Sequence, residues 1–248
     1  SGEVADLVSS FNTMLQALGN SLAQQKQLVQ DASHELRTPL TSLRANSELL
    51  ERPDLPQHTR EAIIHDIRAE IDELTALSSE LSALASDQRS SEDPVSVNIA
   101  EAVQEVVERA QRRSGRVVEL HSASPAQVVV RPAQFDRAIS NLIDNAIKFS
   151  PAGSKVDVFI KGTRIEVHDS GPGIAPEDRQ FVFDRFYRAA ATRAMPGSGL
   201  GLAIVKQFAD IHQATTFVGA SGTGGAMVGL DLAPTTTWSS AAHTVGTK

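Results

Sequence analysis

Asn141-Leu-Ile-Asp-Asn145-Ala-Ile-Lys148, Asp169-Ser-Gly171-Pro-Gly173-Ile174 and Gly197-Ser-Gly199-Leu200-Gly201-Leu202 are the three most distinctive stretches of the chain. Asn141, Asn145 and Lys148 are spaced by four and then three residues, so a helix puts them on one face. Amide oxygens are hard ligands of the kind Mg²⁺ takes beside waters and phosphates. A lysine one turn on offers a point charge to the same phosphates. Asp169 stands at the exit of a strand, where its carboxylate can accept a hydrogen bond from an exocyclic amine. Gly171 and Gly173 let a flat ring approach the backbone. The third stretch opens a helix, whose first N–H groups form an anion site. It is not a Walker A loop, because no Gly-Lys-Ser/Thr follows. Nor is it the dinucleotide fingerprint, because no strand leads directly into it. Between the second and third stretches lies Phe181-Val-Phe-Asp-Arg185-Phe-Tyr-Arg188, dense in aromatics for this chain. Arg185 and Arg188 are the candidate phosphate-facing members of the loop that follows it.

Working outward, residues 95–233 read as mixed α/β. Helices are expected over 99–113, with Asn98 as N-cap, over 132–149 and over 199–212. Strands are expected at 117–120 and 128–130, as a hairpin of 155–161 and 163–169 around Gly162, and as two more up to Leu232. Residues 89–97 are polar and read as a linker. Upstream, residues 3–88 hold only one glycine, Gly19, and three prolines, Pro39, Pro53 and Pro56. Apolar residues recur there at helical spacing, from Val4 to Leu22 and again from Leu28 to Leu50. Arg52-Pro-Asp-Leu-Pro56 breaks the pattern. Ile64, Ile67, Ile71, Leu74, Ser78, Leu81 and Ala85 then form a heptad seam. Two long helices joined by a turn make a hairpin, and two hairpins forming a four-helix bundle bury both seams. Pro39 removes one helix hydrogen bond and is expected to bend the first helix.

The net charge of −7 argues against a nucleic-acid footprint. The absence of cysteine excludes disulfides, thiolate metal sites and cysteine nucleophiles. No stretch has the roughly 18 apolar residues of a membrane span. The sequence opens on Ser1-Gly2 and reads as cut from a longer chain; residues 235–248, small and polar, read as a disordered tail.

The motifs at 141–148, 169–174, 183–188 and 197–202, in this order and spacing, closely resemble the asparagine, first-glycine, phenylalanine and second-glycine boxes of the histidine-kinase ATP-binding domain, a member of the GHKL superfamily. The resemblance covers about 95–233 and implies an α/β sandwich, a mixed sheet layered against helices, with ATP under a mobile lid at 187–197 that contains Arg188 and Arg193. It implies that Asp169 binds the adenine amine, Asn145 ligates Mg²⁺ and Lys148 approaches the phosphates. Asn141, Gly171, Gly173, Arg185, Arg188, Gly197, Gly199, Leu200 and Gly201 complete the implied nucleotide site. ATP-hydrolysing relatives use a glutamate in the asparagine box to activate water. Asn141 lies four residues before Asn145, so that base is missing here. The family often carries His-Gly-Gly after the last helix; this chain has His212-Gln213-Ala214-Thr215, so that turn must do without its glycines.

Ala32-Ser-His34-Glu35-Leu-Arg-Thr38-Pro39-Leu40 resembles the phosphoacceptor box of the HisKA dimerisation domain. A neutral imidazole nitrogen can attack a γ-phosphate, and the adjacent Glu35 can orient the ring and accept its proton. Leu36, Leu40 and Leu43 are expected to face the bundle core, which leaves His34 on an outer face. In the family the threonine at the position of Thr38 positions the water that dephosphorylates a partner's aspartate. A zincin reading fails, since Thr38 stands where a second histidine is needed. Residues 2–15 look like the last helix of a HAMP module. The resemblance thus implies a multidomain α plus α/β chain. Its parts are a HAMP remnant at 1–22, a helical-hairpin dimerisation and phosphotransfer domain at 23–88, a linker at 89–97 and an ATP-binding domain at 98–234. It further implies a homodimer, a response-regulator receiver domain as phosphoryl acceptor, no nucleic acid, and a place as the cytoplasmic portion of a bacterial cell-membrane protein anchored N-terminal to this fragment.

Overall fold

The structure is a computed structural model that describes residues 2–87, 92–193, 195, 197–222 and 224–232. The chain divides into two compact units, Ser1–Ser78 and Ser79–Lys248. The expected tail at 235–248 lies outside the described residues.

The first unit is helical. Helix α1 runs Gly2–Leu50 without interruption, 49 residues, or about 73 Å at 1.5 Å per residue. It continues through Pro39, whose ring deletes one N–H donor. Helix α2 covers Gln57–Asp87, and its turns from Ser79 onward belong to the second unit. Arg60 closes the connection between them by donating to the carbonyls of Leu50 and Arg52 at 3.3 and 3.5 Å.

The buried side of α2 differs from the expected seam. Ile64 and Ile71 are 37% and 49% exposed, whereas Ile63 and Leu77 are buried. The half-buried Ile67 and Leu74 belong to both faces. The inward face is thus rotated by one residue, because a helix in a bundle has a second apolar flank that its own chain leaves uncovered. Along α1, Leu36 and Leu43 are half-buried as expected, but Leu40 is 54% exposed.

The second unit is a five-stranded sheet with helices packed on one face. Its strands are β2 (Val118–Pro125), β4 (Val156–Gly162), β5 (Arg164–His168), β6 (Thr215–Ala220) and β7 (Ala226–Asp231), in the order β2-β4-β5-β7-β6. Only the β2–β4 pair is parallel. A separate antiparallel pair joins β1 (Val95–Asn98) to β3 (Gln127–Val130). The polar run read as linker therefore ends in a strand. Val95 and Val97 pair with Val130 and Val128, so strand pairing overrides local polarity.

Helices α3 (Ile99–Ser114), α4 (Pro132–Phe149) and α5 (Gly201–Ile211) cover the inner face. Asn98 caps α3 by accepting the Ala100 N–H at 3.1 Å, worth about 1 kcal/mol. Val103, Val107, Phe135, Ile139, Val158, Ile165 and Leu230 meet in one core. After α5, Gln213 takes the left-handed conformation (φ +55°) that a glycine would supply, and Ala214 N donates to Ala209 O at 2.8 Å. The glycine-free turn thus forms at the expense of one strained residue. His212, buried beneath it, accepts the Arg131 N–H through Nε2 at 3.1 Å, while its Nδ1 lies 3.0 Å from Phe208 O. That pattern places the ring proton on Nδ1.

Candidate functional site

In the second unit the polar face of α4 meets the exit of β5 and the start of α5. Asn141, Asn145, Lys148, Asp169, Gly173 and Ser198 line one cleft there. The spacing along α4 puts its three residues on this side, as the sequence required. Asn141 Nδ2 donates to Arg137 O at 2.9 Å, and its Oδ1 points toward Gly201. A Cβ on Gly201 would stand 2.9 Å from that oxygen, so a side chain there would displace the Asn141 amide from its present position.

Asp169 is buried immediately after β5. Its N–H donates to Ala226 O at 2.9 Å, and its Oδ1 accepts the N–H groups of Gly171 at 2.8 Å and Ala226 at 2.9 Å. Two backbone donors on one oxygen fix the orientation of the carboxylate. The neighbouring backbone closes around it: a Cβ on Gly225 would strike the Asp169 carboxylate, and one on Gly171 would stand 2.6 Å from Phe149 O.

The opposite wall is built by the loop before α5. Gly199 has φ +76°, and a Cβ there would stand 2.8 Å from the Phe186 carbonyl carbon and 2.9 Å from Tyr187 O. Phe186, itself at φ +61°, donates its N–H to Gly199 O at 3.1 Å. The helix therefore starts at Gly201 rather than Gly199. Leu200 is fully buried and donates its N–H to Ser198 Oγ at 3.0 Å. A Cβ on Gly197 would collide with Lys148 Nζ, which lies 4.9 Å from the Phe149 ring centroid.

The arginines are placed differently from expectation. Arg188 lines the cleft, but its Nη2 donates to the carbonyls of Arg193, at 2.8 Å, and Met195. It thus ties the loop to itself. Arg185 is half-buried and is not among the residues that line the cleft, and neither are Gly171 and Leu200. Tyr187, by contrast, is anchored below the loop by donating to Asp178 Oδ1 at 2.6 Å, a bond that pushes its phenol above the usual range.

Two carboxylates that sequence reasoning missed also line the cleft. Glu80, in the last turns of α2, accepts the Ser198 hydroxyl. Burial pushes its carboxyl above the usual range, while the Ser198 bond and the Lys148 charge pull it back. Asp144 is likewise raised by burial, against the pull of Arg113 and Arg109. Asp144 lies inside a motif already singled out. Glu80 lies 118 residues from Ser198, and no local pattern reports such a contact.

In the first unit His34, Glu35 and Thr38 are all exposed on α1. Arg37 Nη1 lies 3.5 Å from His34 Nδ1. A guanidinium only donates, so this contact is a hydrogen bond only when the ring proton is on Nε2. Among the described residues no helix is long and apolar enough to cross a membrane.

The layered sheet, the pinned aspartate and the glycine-rich loop before α5 together define an ATP-binding domain of the GHKL class. Residues 130–236 match the family of histidine kinase-, DNA gyrase B-, and HSP90-like ATPases, and residues 24–90 match the His Kinase A (phospho-acceptor) domain. The chain is 42% identical over 226 residues to the signal transduction histidine-protein kinase/phosphatase MprB of Mycolicibacterium vanbaalenii, covering 86% of this chain and 46% of that protein. The MprB protein of Mycolicibacterium smegmatis is 43% identical over 223 residues, covering 86% of this chain and 45% of its own length. The chain thus spans about half the length of the curated relatives it matches. A solved structure of the mycobacterial sensor histidine kinase MprB is 38% identical, with a TM-score of 0.50, over 55% of this chain and 95% of that one. The Acinetobacter baumannii histidine kinase AdeS, 23% identical, shares the fold with a TM-score of 0.58 over 79% of this chain and 95% of its own. The chain belongs to the sensor histidine kinases of two-component systems.

Proposed function

We propose that this chain is the catalytic core of a sensor kinase that phosphorylates its own His34 from Mg-ATP and passes the phosphoryl group to an aspartate of a response regulator. The observation that carries the reading is the cleft. A carboxylate held by two backbone donors suits an exocyclic amine. Lys148 beside Gly197 and the N-terminus of α5 suit a polyphosphate. The donor set also fits Mg²⁺, since Asn145 offers an amide oxygen and the phosphates and water supply the rest. Bound there, the ion would neutralise charge on the transferring phosphate.

In the proposed reaction a ring nitrogen of His34 bonds to the γ-phosphorus and the bond to the β-phosphate oxygen breaks. ADP leaves, and the ring's other nitrogen gives its proton to Glu35. Attack through Nε2 requires that nitrogen to carry the lone pair, so Arg37 must release Nδ1 first. Thr38, one helical turn from His34, is proposed to position water for dephosphorylation of the regulator, in keeping with the kinase/phosphatase name of the MprB relatives.

A homodimer is part of the proposal. Phe11, Met14, Val29 and Leu40 of α1 are each more than half exposed in the single chain, and the Ile64/Ile71 flank of α2 is exposed to a lesser degree. A second copy would cover both. We assign 1–22 to a HAMP remnant, 23–88 to dimerisation and phosphotransfer and 98–234 to ATP binding, as the cytoplasmic portion of a membrane-anchored sensor.

The test is incubation with γ-labelled ATP and Mg²⁺, comparing wild type with His34→Gln. Acid-labile, alkali-stable label is expected in wild type and absent in the variant, with nucleotide binding retained in both. Label that survives in the variant would remove His34 from the role.

A further inference from the structure

The end of the cleft formed by Lys148, Gly197 and Ser198 already holds an anion: the Glu80 carboxylate. It accepts the Ser198 hydroxyl, and the Lys148 charge acts on it. Ser198 Oγ in turn accepts the Leu200 N–H at 3.0 Å, so Glu80 is coupled to the loop that opens α5. A carboxylate so placed is not needed to hold the end of α2 against the domain. Ala83 and Leu84 are buried, and Leu84 O accepts Gln207 Nε2 at 3.3 Å. A neutral glutamine at position 80 could accept the same serine hydroxyl. What glutamate adds is a negative charge, introduced where burial disfavours it.

That charge stands among the groups that suit a polyphosphate, namely Lys148 and the start of α5. Asp169, which suits the base, is built elsewhere, from the exit of β5 and the N–H of Ala226. A chain of phosphates running from the base toward Lys148 and Ser198 brings its terminal, most highly charged group nearest to Glu80. Like charges a few ångströms apart in a partly buried site repel strongly enough to change affinity by an order of magnitude. A diphosphate puts less charge there.

Resting on the nucleotide reading proposed above, we infer that Glu80 is a specificity-determining residue of the cleft, one that selects against the terminal phosphate and holds down the affinity for a nucleoside triphosphate relative to the diphosphate.

The experiment is calorimetric titration of the whole chain with Mg-ADP and with a non-hydrolysable Mg-ATP analogue, in wild type, Glu80→Gln and Glu80→Asp. Glu80→Gln is expected to tighten the triphosphate about tenfold, or about 1.4 kcal/mol, and to leave the diphosphate within about twofold. Glu80→Asp keeps the charge and is expected to hold the wild-type ratio. Equal changes for both nucleotides, or a ratio that moves alike in both variants, would assign Glu80 to shape alone and overturn the inference. A weaker triphosphate in Glu80→Gln would make the carboxylate a ligand of the nucleotide-bound metal and overturn it too. If neither nucleotide binds to wild type or either variant, the nucleotide reading itself fails, and the inference falls with it.

Discussion

Asp169→Asn tests whether the cleft reads the base, and its outcome can be worked from two hydrogen bonds. Oδ1 accepts the N–H groups of Gly171 and Ala226 at 2.8 and 2.9 Å. An asparagine can keep both bonds only by placing its carbonyl oxygen at the Oδ1 position. Its NH₂ group is thereby forced into the position of Oδ2, and an acceptor becomes a donor. An adenine 6-amino group then meets another donor, whereas the 6-oxo group of inosine meets its complement. Loss of a hydrogen bond to a charged acceptor costs about 1.5–3 kcal/mol, so ATP affinity should fall roughly 10- to 150-fold. A neutral bond to the 6-oxo group contributes about 0.5–1.5 kcal/mol, so ITP should bind roughly 2- to 10-fold more tightly than it does to wild type. The fold survives, because both buried N–H groups keep a partner, and the unfolding free energy should drop by only about 1 kcal/mol. Asp169→Ala, which orphans both donors, should cost more. Competition titrations of ATP and ITP against a fluorescent nucleotide give the ratio directly. An unchanged ATP-to-ITP preference in Asp169→Asn, with the protein folded, would refute the assignment of Asp169 to the base.

Gly199→Ala puts a Cβ 2.8 Å from the Phe186 backbone at φ +76°, so it should lower the unfolding free energy by about 1–3 kcal/mol and weaken nucleotide binding. Gly222→Ala meets nothing within 4 Å and should stay within about 0.5 kcal/mol of wild type; equal effects of the two would show that the close backbone approach at Gly199 does not matter. Acid titration tests the outer face of the sheet. Burial would raise the Asp157 carboxyl, but hydrogen bonds from His121 at 2.8 Å and Lys155 at 3.0 Å outweigh it and hold the group below its usual range. Its stabilisation is therefore complete above the unfolded value of about 3.9 and is lost as pH falls through the lower folded value. Between pH 4 and 2.5, wild type should lose more stability than Asp157→Asn in urea titrations, and parallel curves would count against the bond network. Glu80 and Asp144, raised by burial, act with the opposite sign, gaining stability as they protonate, and cancel in the comparison.

What was legible in the sequence follows the range of the interaction that sets it. Helix α4 occupies the expected 132–149 because Pro132, its apolar period and its amide face are all local signals. The same spacing delivers Asn141, Asn145 and Lys148 to one cleft. The Asn98 cap is local too. The polar run before it resisted reading because Val95 and Val97 become a strand only through partners some 30 residues away. The α2 residues that its own chain buries, Ile63 and Leu77, lie one position before the heptad seam of Ile64, Ile71 and Ser78, because α2 has two adjacent apolar flanks and only packing decides which one a single chain covers.

The arginines and Glu80 show a different limit. A long side chain reaches any of several partners from one backbone position, so a motif places its Cα without placing its charge. Arg188 satisfies two backbone carbonyls of its own loop, and Ser198 satisfies Glu80. Buried polar groups are paired as a rule, and the pairs made here are those that phosphate oxygens could also make. Nucleotide affinity in such a cleft is a difference between two sets of bonds, those made to the phosphates and those the protein makes with itself. Affinity and nucleotide preference therefore depend on residues such as Glu80 that no nucleotide-binding motif contains, and a chain with the same boxes and a neutral residue at that position should bind ATP more tightly.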